Sequence, residues 1–187
     1  MLTPSRPSVA VFASDKGPGD AERASIMSQT GSYIGSKGAR IVTLAEAEGL
    51  AVPLVTSARA AGGEVLVIGD EDFVMPAALT GVPLERLPDP DQRLARLVAE
   101  TQVFIGLPGS LDSASRLFTG WVKSGGGSGG RPVVLFNRNR AFEAMRGMAT
   151  DVLSHGIRRH DRFIQFTDSV EDLWVKVLWL INEAPKV

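Results

Sequence analysis

A short segment, FIGLPGSLDSASRLF (residues 104–118), carries the residues best suited to chemistry. Its apolar run ends at a Pro-Gly pair, and a pattern with helical spacing begins directly afterwards. Gly109 permits a positive φ angle and a close backbone approach, and Ser110 is a favoured helix N-cap. Because unpaired N–H groups at a helix start bind anions, we predict a phosphate or nucleotide site at Gly109, Ser110, Asp112 and Ser113. Ordinary helix capping without a ligand is the alternative.

Asp112 limits what this segment can bind. A carboxylate in the first turn interacts favourably with the helix dipole, by about 0.3–1 kcal/mol. It also repels an incoming phosphate, so we expect weak phosphate binding or a hydroxyl-rich ligand. Arg116 follows one helical turn later, a spacing at which we expect an ordinary surface salt bridge with Asp112.

Two earlier loops also carry polar residues after apolar runs. Ser14 and Lys16 follow the first run, within a glycine-rich segment in which Lys16 could approach a phosphate. A simple turn is the alternative there. Glu46, Glu48 and Gly49 follow the second run. We include Gly49 among the ligand-binding candidates and expect both glutamates to be solvated loop residues.

The histidines give little support for a metal site. His155 and His160 lie five residues apart in a basic stretch that we expect to be a loop. Metal binding needs several ligands that converge on one point. We therefore expect solvated histidines, no metal site and no bound cofactor.

The elements that must position these loops follow from hydrophobic periodicity. Six apolar runs are nearly continuous in Val, Ile, Leu and Phe, which is typical of parallel strands covered on both faces. The runs are residues 8–13, 39–45, 63–69, 102–108, 131–137 and 162–167. Helical patterns alternate with them, which predicts an α/β fold with a doubly wound, mostly parallel, Rossmann-like sheet. Ligands bind beyond the carboxyl ends of such strands, so the loops after the first, second and fourth runs matter most.

The helices have recognisable boundaries. Gly38 is a stop signal for the first, Asp89 and Pro90 mark the start of the third, and Gln92 occupies the position of a capping-box partner. The final helix is apolar on most sides, which favours either close docking on the sheet or a contact between two copies. The predicted helices are residues 20–37, 52–61, 89–101, 110–123, 139–154 and 169–184.

Length and composition fit a single globular domain spanning residues 1–187, with 44% hydrophobic residues and no cysteine. A glycine- and serine-rich stretch at 124–130 is interpreted as a loop within that domain. The net charge of −1 gives no general attraction to nucleic acid or to membranes. The chain has neither an apolar run long enough to span a membrane nor a signal-peptide pattern, so we expect a cytoplasmic protein.

The 104–118 segment and its surroundings resemble the LOG family of nucleoside-monophosphate phosphoribohydrolases, also called lysine-decarboxylase-like proteins. The family motif PGGxGTxxE corresponds here to PGSLDSASR (108–116), preceded by Arg93 at the position of a family arginine. Gly49 and Leu50 remain from a family glycine cluster after the second strand. The resemblance extends over nearly the whole layout, including the segments at 58–71, 131–137 and 163–177.

The resemblance implies a changed chemistry. Arg116 stands where the family has its catalytic glutamate, and a cation there would oppose the positive charge that develops on the sugar during N-glycosidic cleavage. We therefore predict a protein that binds a nucleotide-like small molecule, through Arg93 among others, without the family reaction. The alternatives are an active phosphoribohydrolase with another acid, a molybdenum-cofactor-carrier-like protein, and an interaction protein with a vestigial pocket. The family also implies a homodimer.

Overall fold

The computed structural model describes residues 6–14, 21–46, 49–125, 130–156 and 162–183. Within these ranges the strands all run parallel in one sheet, in the order β4-β3-β2-β1-β5-β6-β7, which confirms the predicted doubly wound sheet. The order reverses between β1 and β5, where doubly wound folds form their ligand crevice. The strands are β1 (Ser8–Phe12), β2 (Arg40–Ala45), β3 (Glu64–Gly69), β4 (Leu84–Arg86), β5 (Val103–Gly106), β6 (Val133–Phe136) and β7 (Ile164–Thr167).

Helices cover both faces of the sheet. Short 3₁₀ turns lie at Ala77–Leu79 and Arg138–Arg140, and a π-helical stretch at Ala149–Leu153. No helix in the described ranges is both long and apolar enough to cross a membrane. The α-helices are α1 (Ala21–Ser36), α2 (Val52–Ala60), α3 (Pro90–Glu100), α4 (Leu111–Lys123), α5 (Glu143–Met148), α6 (Ser154–Gly156) and α7 (Val170–Glu183).

The central strand shows how two cores form from one sheet. Successive side chains of a strand point to opposite faces. Val9 and Val11 of β1 therefore pack in the core formed with α1, α2 and α7. Ala10 and Phe12 pack in the other core, with α3 and α4. Burial on both faces explains why the runs are continuous rather than alternating.

The structure confirms the boundary signals at Gly38 and Asp89. Gly38, two residues after the end of α1, has a φ of 71°, as its stop role requires. Asp89 caps α3 by accepting a hydrogen bond from the backbone N–H of Asp91. That bond goes to the second residue of the helix and not to the third, so the expected capping box with Gln92 is wrong.

Two parts of the chain differ from the prediction. Strand β4, a half-exposed edge strand of three residues, is not among the predicted strands. The predicted helix over 139–154 is instead divided among a 3₁₀ turn, α5, the π-helical stretch and α6. The division begins at Asn139 and Arg140, whose φ angles of 56° and 60° lie in the left-handed region and cannot continue an α-helix.

Helix α7 is only partly covered. Leu173, Val177 and Leu180 are buried against the sheet, as the docking interpretation predicts. Val175 and Trp179 are 63% and 36% exposed. The contact between two copies stays a prediction.

The amino-terminal edge of the sheet is joined by a chain of ion pairs. Glu100 accepts from Arg40 at 2.6 Å and also pairs with Arg96. Arg40 pairs in turn with Glu64 at 3.1 Å, and Arg96 with Glu85 at 2.9 Å. The hydrogen bond from Arg40 holds the pKa of Glu100 below its ordinary value, outweighing the opposing effect of desolvation.

We predict that Glu100→Gln lowers the free energy of unfolding at pH 7 by about 1 kcal/mol, because a networked carboxylate loses its charge. Since the folded pKa is depressed, this contribution is present above the unfolded pKa and is lost as pH falls through the folded pKa. The difference between wild type and variant should therefore shrink below about pH 4. Urea unfolding across this range measures it, with exposed Glu71→Gln as the control; a difference that persists at low pH would contradict the prediction.

Candidate functional site

A cleft opens at the carboxyl-terminal edge of the sheet, above β1 and β2 and beside the first turns of α4. Its volume is about 440 Å³, counting the space open to solvent. Because that figure includes open solvent, the cleft is an open groove and not an enclosed cavity. The polar residues on its walls are Ser14, Thr43, Glu46, Asp112, Ser113 and Arg116.

The cleft brings together half of the residues predicted from the sequence. Ser14, Gly49, Asp112 and Ser113 line it. Three others do not form its walls, and one lies outside the described part of the chain. Their roles in ligand binding all stay predictions. Arg93, Gly109 and Ser110 lie behind or beside the walls, and Lys16 lies outside the described residues.

The start of α4 is fixed by a reciprocal capping box. Ser110 Oγ accepts from the backbone N–H of Ser113 at 3.1 Å, and Ser113 Oγ accepts from the N–H of Ser110 at 3.1 Å. Ser113 Oγ also donates to the Ser110 carbonyl at 2.9 Å. The Ser113 hydroxyl is therefore engaged in holding the loop, which confirms the predicted cap.

Gly109 is needed for close approach and not for a special backbone angle. A Cβ at this position would lie 2.6 Å from Ser113 Oγ and 3.0 Å from the backbone N of Ser14. Its φ is not in the left-handed region, so the positive φ considered from the sequence is not used. The contact brings the loop after β5 against the end of β1.

Glu46 lies between two arginines, where it was expected to be a solvated loop residue. Its side chain is only 10% exposed. One carboxylate oxygen is 3.4 Å from Nε of Arg93, and the other is 2.7 Å from Nε of Arg116. For Glu46 the solvated expectation is wrong, because α3 and α4 each present a guanidinium to the end of β2. Glu48 lies outside the described residues.

Arg93 is the buried anchor of this arrangement. It is 5% exposed, although it lies on a helix that faces solvent on its other side. Its Nη1 donates to the carbonyls of Leu87 and Pro88 at 2.7 and 2.8 Å. These bonds, with the contact to Glu46, use the side chain to join the β4–α3 connection to β2.

The backbone of Glu46 is fixed as well. Its N–H donates to the Gly49 carbonyl at 3.3 Å, and the Gly49 N–H donates back to the Glu46 carbonyl at 2.7 Å. Gly49 has a φ of 96°, a conformation that glycine adopts without strain. The loop after β2 thus presents the carboxylate at a defined position.

Arg116 has a different partner from the one that helix spacing suggests. No ion pair between Arg116 and Asp112 forms among the described side chains, so the expected surface salt bridge is wrong. Glu46 competes successfully because its buried carboxylate approaches Nε directly. Asp112 remains exposed at the mouth of the cleft.

Comparison with solved structures identifies related folds. The chain superimposes on a molybdenum cofactor carrier protein from Chlamydomonas reinhardtii with a TM-score of 0.72 and 16% identity, over 95% of this chain and 99% of that one. For a molybdenum cofactor binding protein from Rippkaea orientalis the TM-score is 0.70 and the identity 17%, over 96% and 99%. The fold is the same. The sequence matches no family model and no curated protein.

The charges on the cleft walls and directly behind them balance. Arg93 and Arg116 oppose Glu46 and Asp112, and the two cations both contact the inner carboxylate. Across the described ranges, no three or more His, Asp or Glu side chains converge as a metal site would require. His155 is exposed, and His160 lies outside the described residues. The arrangement is suited to hydrogen bonding and charge recognition.

One feature of the sequence, the position of Glu46, indicates the buried carboxylate. Glu46 occupies the first position after β2, and topology alone places that position beside the loop after β1. Arg93 and Arg116 were each identified separately as cations at the same edge. Pairing an edge carboxylate with these two cations would have suggested an ion-pair cluster.

Proposed function

We propose that this protein binds a small nucleotide-like or otherwise phosphorylated molecule in the cleft and does not cleave it. The observation that carries the proposal is the state of Glu46, whose two oxygens each contact a guanidinium. N-glycosidic hydrolysis needs a carboxylate available to activate water or to stabilise a cationic sugar. A carboxylate held by two cations, with Arg116 on the same wall, is poorly suited to either task.

The related folds favour a carrier role within this proposal. The neighbours are described as carrying or binding the molybdenum cofactor. The cleft is open to solvent and has a cation, Arg116, on its wall, which suits an anionic cargo. In the carrier version, protein purified from cells that make this cofactor should retain molybdenum, measurable by elemental mass spectrometry. Molybdenum at the background of an unrelated protein would count against that version.

A binding assay combined with a product assay tests the proposal as a whole. Nucleoside monophosphates are titrated into the pure protein while thermal stability and free base are both followed. We expect stabilisation without base release. A ligand present at 100 times its dissociation constant should add about 2.7 kcal/mol to the free energy of unfolding.

Two results would overturn the proposal. Absence of stabilisation by every nucleotide would favour the interaction protein with a vestigial pocket. Steady base release would favour the second candidate, a phosphoribohydrolase. Glu46 lines the cleft and is a specific candidate for its catalytic acid. In that case Glu46→Gln or Asp112→Asn should abolish release, since these residues carry the carboxylates that line the described cleft.

A further inference from the structure

We propose that Arg116 is the residue that selects the ligand, by binding an oxyanion (phosphate or carboxylate) through the outer edge of its guanidinium. The inference rests on the proposed function and names the chemical group that the cleft recognises. It assigns a binding role to the residue that replaces an acid in the family motif.

The outer edge of Arg116 is available to a ligand. The contact of Arg116 with Glu46 is made by Nε at 2.7 Å, and an arginine has four further N–H donors on its two Nη atoms. These Nη atoms make no hydrogen bond to any residue in the described ranges. Neither Nη atom is buried, so both are accessible from solvent. The side chain as a whole is 29% exposed and lines the cleft.

Arg116 is held in place before any ligand arrives. The carbonyls of Leu87 and Pro88 bind Arg93, which contacts Glu46, and Glu46 contacts Nε of Arg116. This series of contacts reaches Arg116 at Nε and leaves the Nη donors for a ligand in the cleft. Glu46 is therefore a positioning residue, and a side chain already ordered loses less entropy on binding.

The geometry of the guanidinium suits an oxyanion. Arginine offers parallel N–H donors that match two oxygens of a phosphate or a carboxylate. Asp112 and Arg116 lie one turn apart on the face of α4 that lines the cleft. An anionic group at Arg116 would therefore leave Asp112 to accept hydrogen bonds from hydroxyl groups elsewhere on the same ligand.

The test compares four probes on three proteins. AMP, adenosine, adenosine 5′-carboxylate and inorganic phosphate are titrated calorimetrically into wild type, Arg116→Gln and Arg59→Gln. Arg59 is exposed at the opposite end of α2 from the cleft, so its variant removes the same charge without touching the site. Circular dichroism verifies that the variants fold, and Arg116→Lys serves as a second variant.

We expect wild type and Arg59→Gln to bind AMP about tenfold to a hundredfold more tightly than adenosine, the range for charged hydrogen bonds. Arg116→Gln should bind the two alike, and Arg116→Lys should fall between. Adenosine 5′-carboxylate distinguishes the two oxyanions: binding like AMP means that the residue accepts both, and binding like adenosine means that it requires phosphate. Both results support the proposal.

The outcomes separate this inference from the proposed function. If AMP and adenosine bind wild type equally, or if Arg116→Gln keeps the preference, the inference is overturned and the binding function stands. If wild type binds inorganic phosphate through Arg116 but no nucleotide, the inference stands and the nucleotide-like ligand is overturned. Binding of none of the four probes overturns both.

Discussion

Replacing Glu46 with glutamine should lower the free energy of unfolding by about 3 kcal/mol, the low end of the range for breaking a buried ion pair. The loss is large because Arg93 is 5% exposed and would keep its charge without a counter-ion. The hydrogen bonds of Arg93 to the Leu87 and Pro88 carbonyls remain, which places the cost at the low end. Urea unfolding monitored by tryptophan fluorescence measures the change.

A double-mutant cycle determines whether the pair is responsible. Arg93→Met removes the buried cation, so Glu46→Gln should cost less in that background, by about 1–2 kcal/mol. Glu71→Gln, at an exposed position, is the matched control and should change stability by less than about 0.5 kcal/mol. A Glu46→Gln cost as small as that of the control, or strict additivity with Arg93→Met, would show that the ion pair contributes little.

The same ion pairs explain why the site was harder to predict than the sheet. Each interior strand can be predicted from its own residues, since burial on both faces requires a continuous apolar run. The environment of Glu46 is determined by Arg93, 47 residues away, and by Arg116 on a further helix. Local sequence indicated that an acid stands at the ligand edge, but its burial depends on how two distant helices pack.

The missed elements have local causes. Among the described strands, β4 pairs with β3 alone, and its three residues, Leu-Glu-Arg, are half-buried or exposed. An edge strand of this length has no hydrophobic pattern to detect. At Asn139 and Arg140 the break in the helix depends on a left-handed conformation that arginine rarely adopts, so composition gave no warning.

The position of the carboxylate also connects fold and chemistry. In the resembling family, the motif implies an acid on the helix after the fourth predicted strand. Here that helix carries Arg116, and the acid nearest to it, Glu46, comes from the loop after β2. Arg116 and Glu46 thus form an ion pair at the cleft, and Arg116 is on the cleft wall. For this reason we expect the cleft to bind its ligand without cleaving it.

Replacing Gly31 with alanine should cost about 2–3 kcal/mol, as overpacking of a tight interface does. A Cβ there would lie 2.3 Å from the Leu54 carbonyl oxygen and 2.4 Å from Ser57 Oγ, because α1 and α2 pack with their backbones close together. A backbone carbonyl cannot rotate away as a side chain does, so the helices must separate. The clash outweighs the gain of about 1 kcal/mol that alanine brings to a helix interior.

Gly147→Ala is the matched control for this effect. Gly147 is exposed in α5, and a Cβ there would meet nothing within 4 Å. Helix propensity then acts alone, and we expect a gain of about 0.5–1 kcal/mol. Urea unfolding of the two variants should therefore shift in opposite directions. Equal shifts would mean that the Gly31→Ala effect comes from helix propensity and not from the close approach of α1 to α2. This approach matters for the site because α2 begins directly after the cleft-lining residues Leu50 and Ala51.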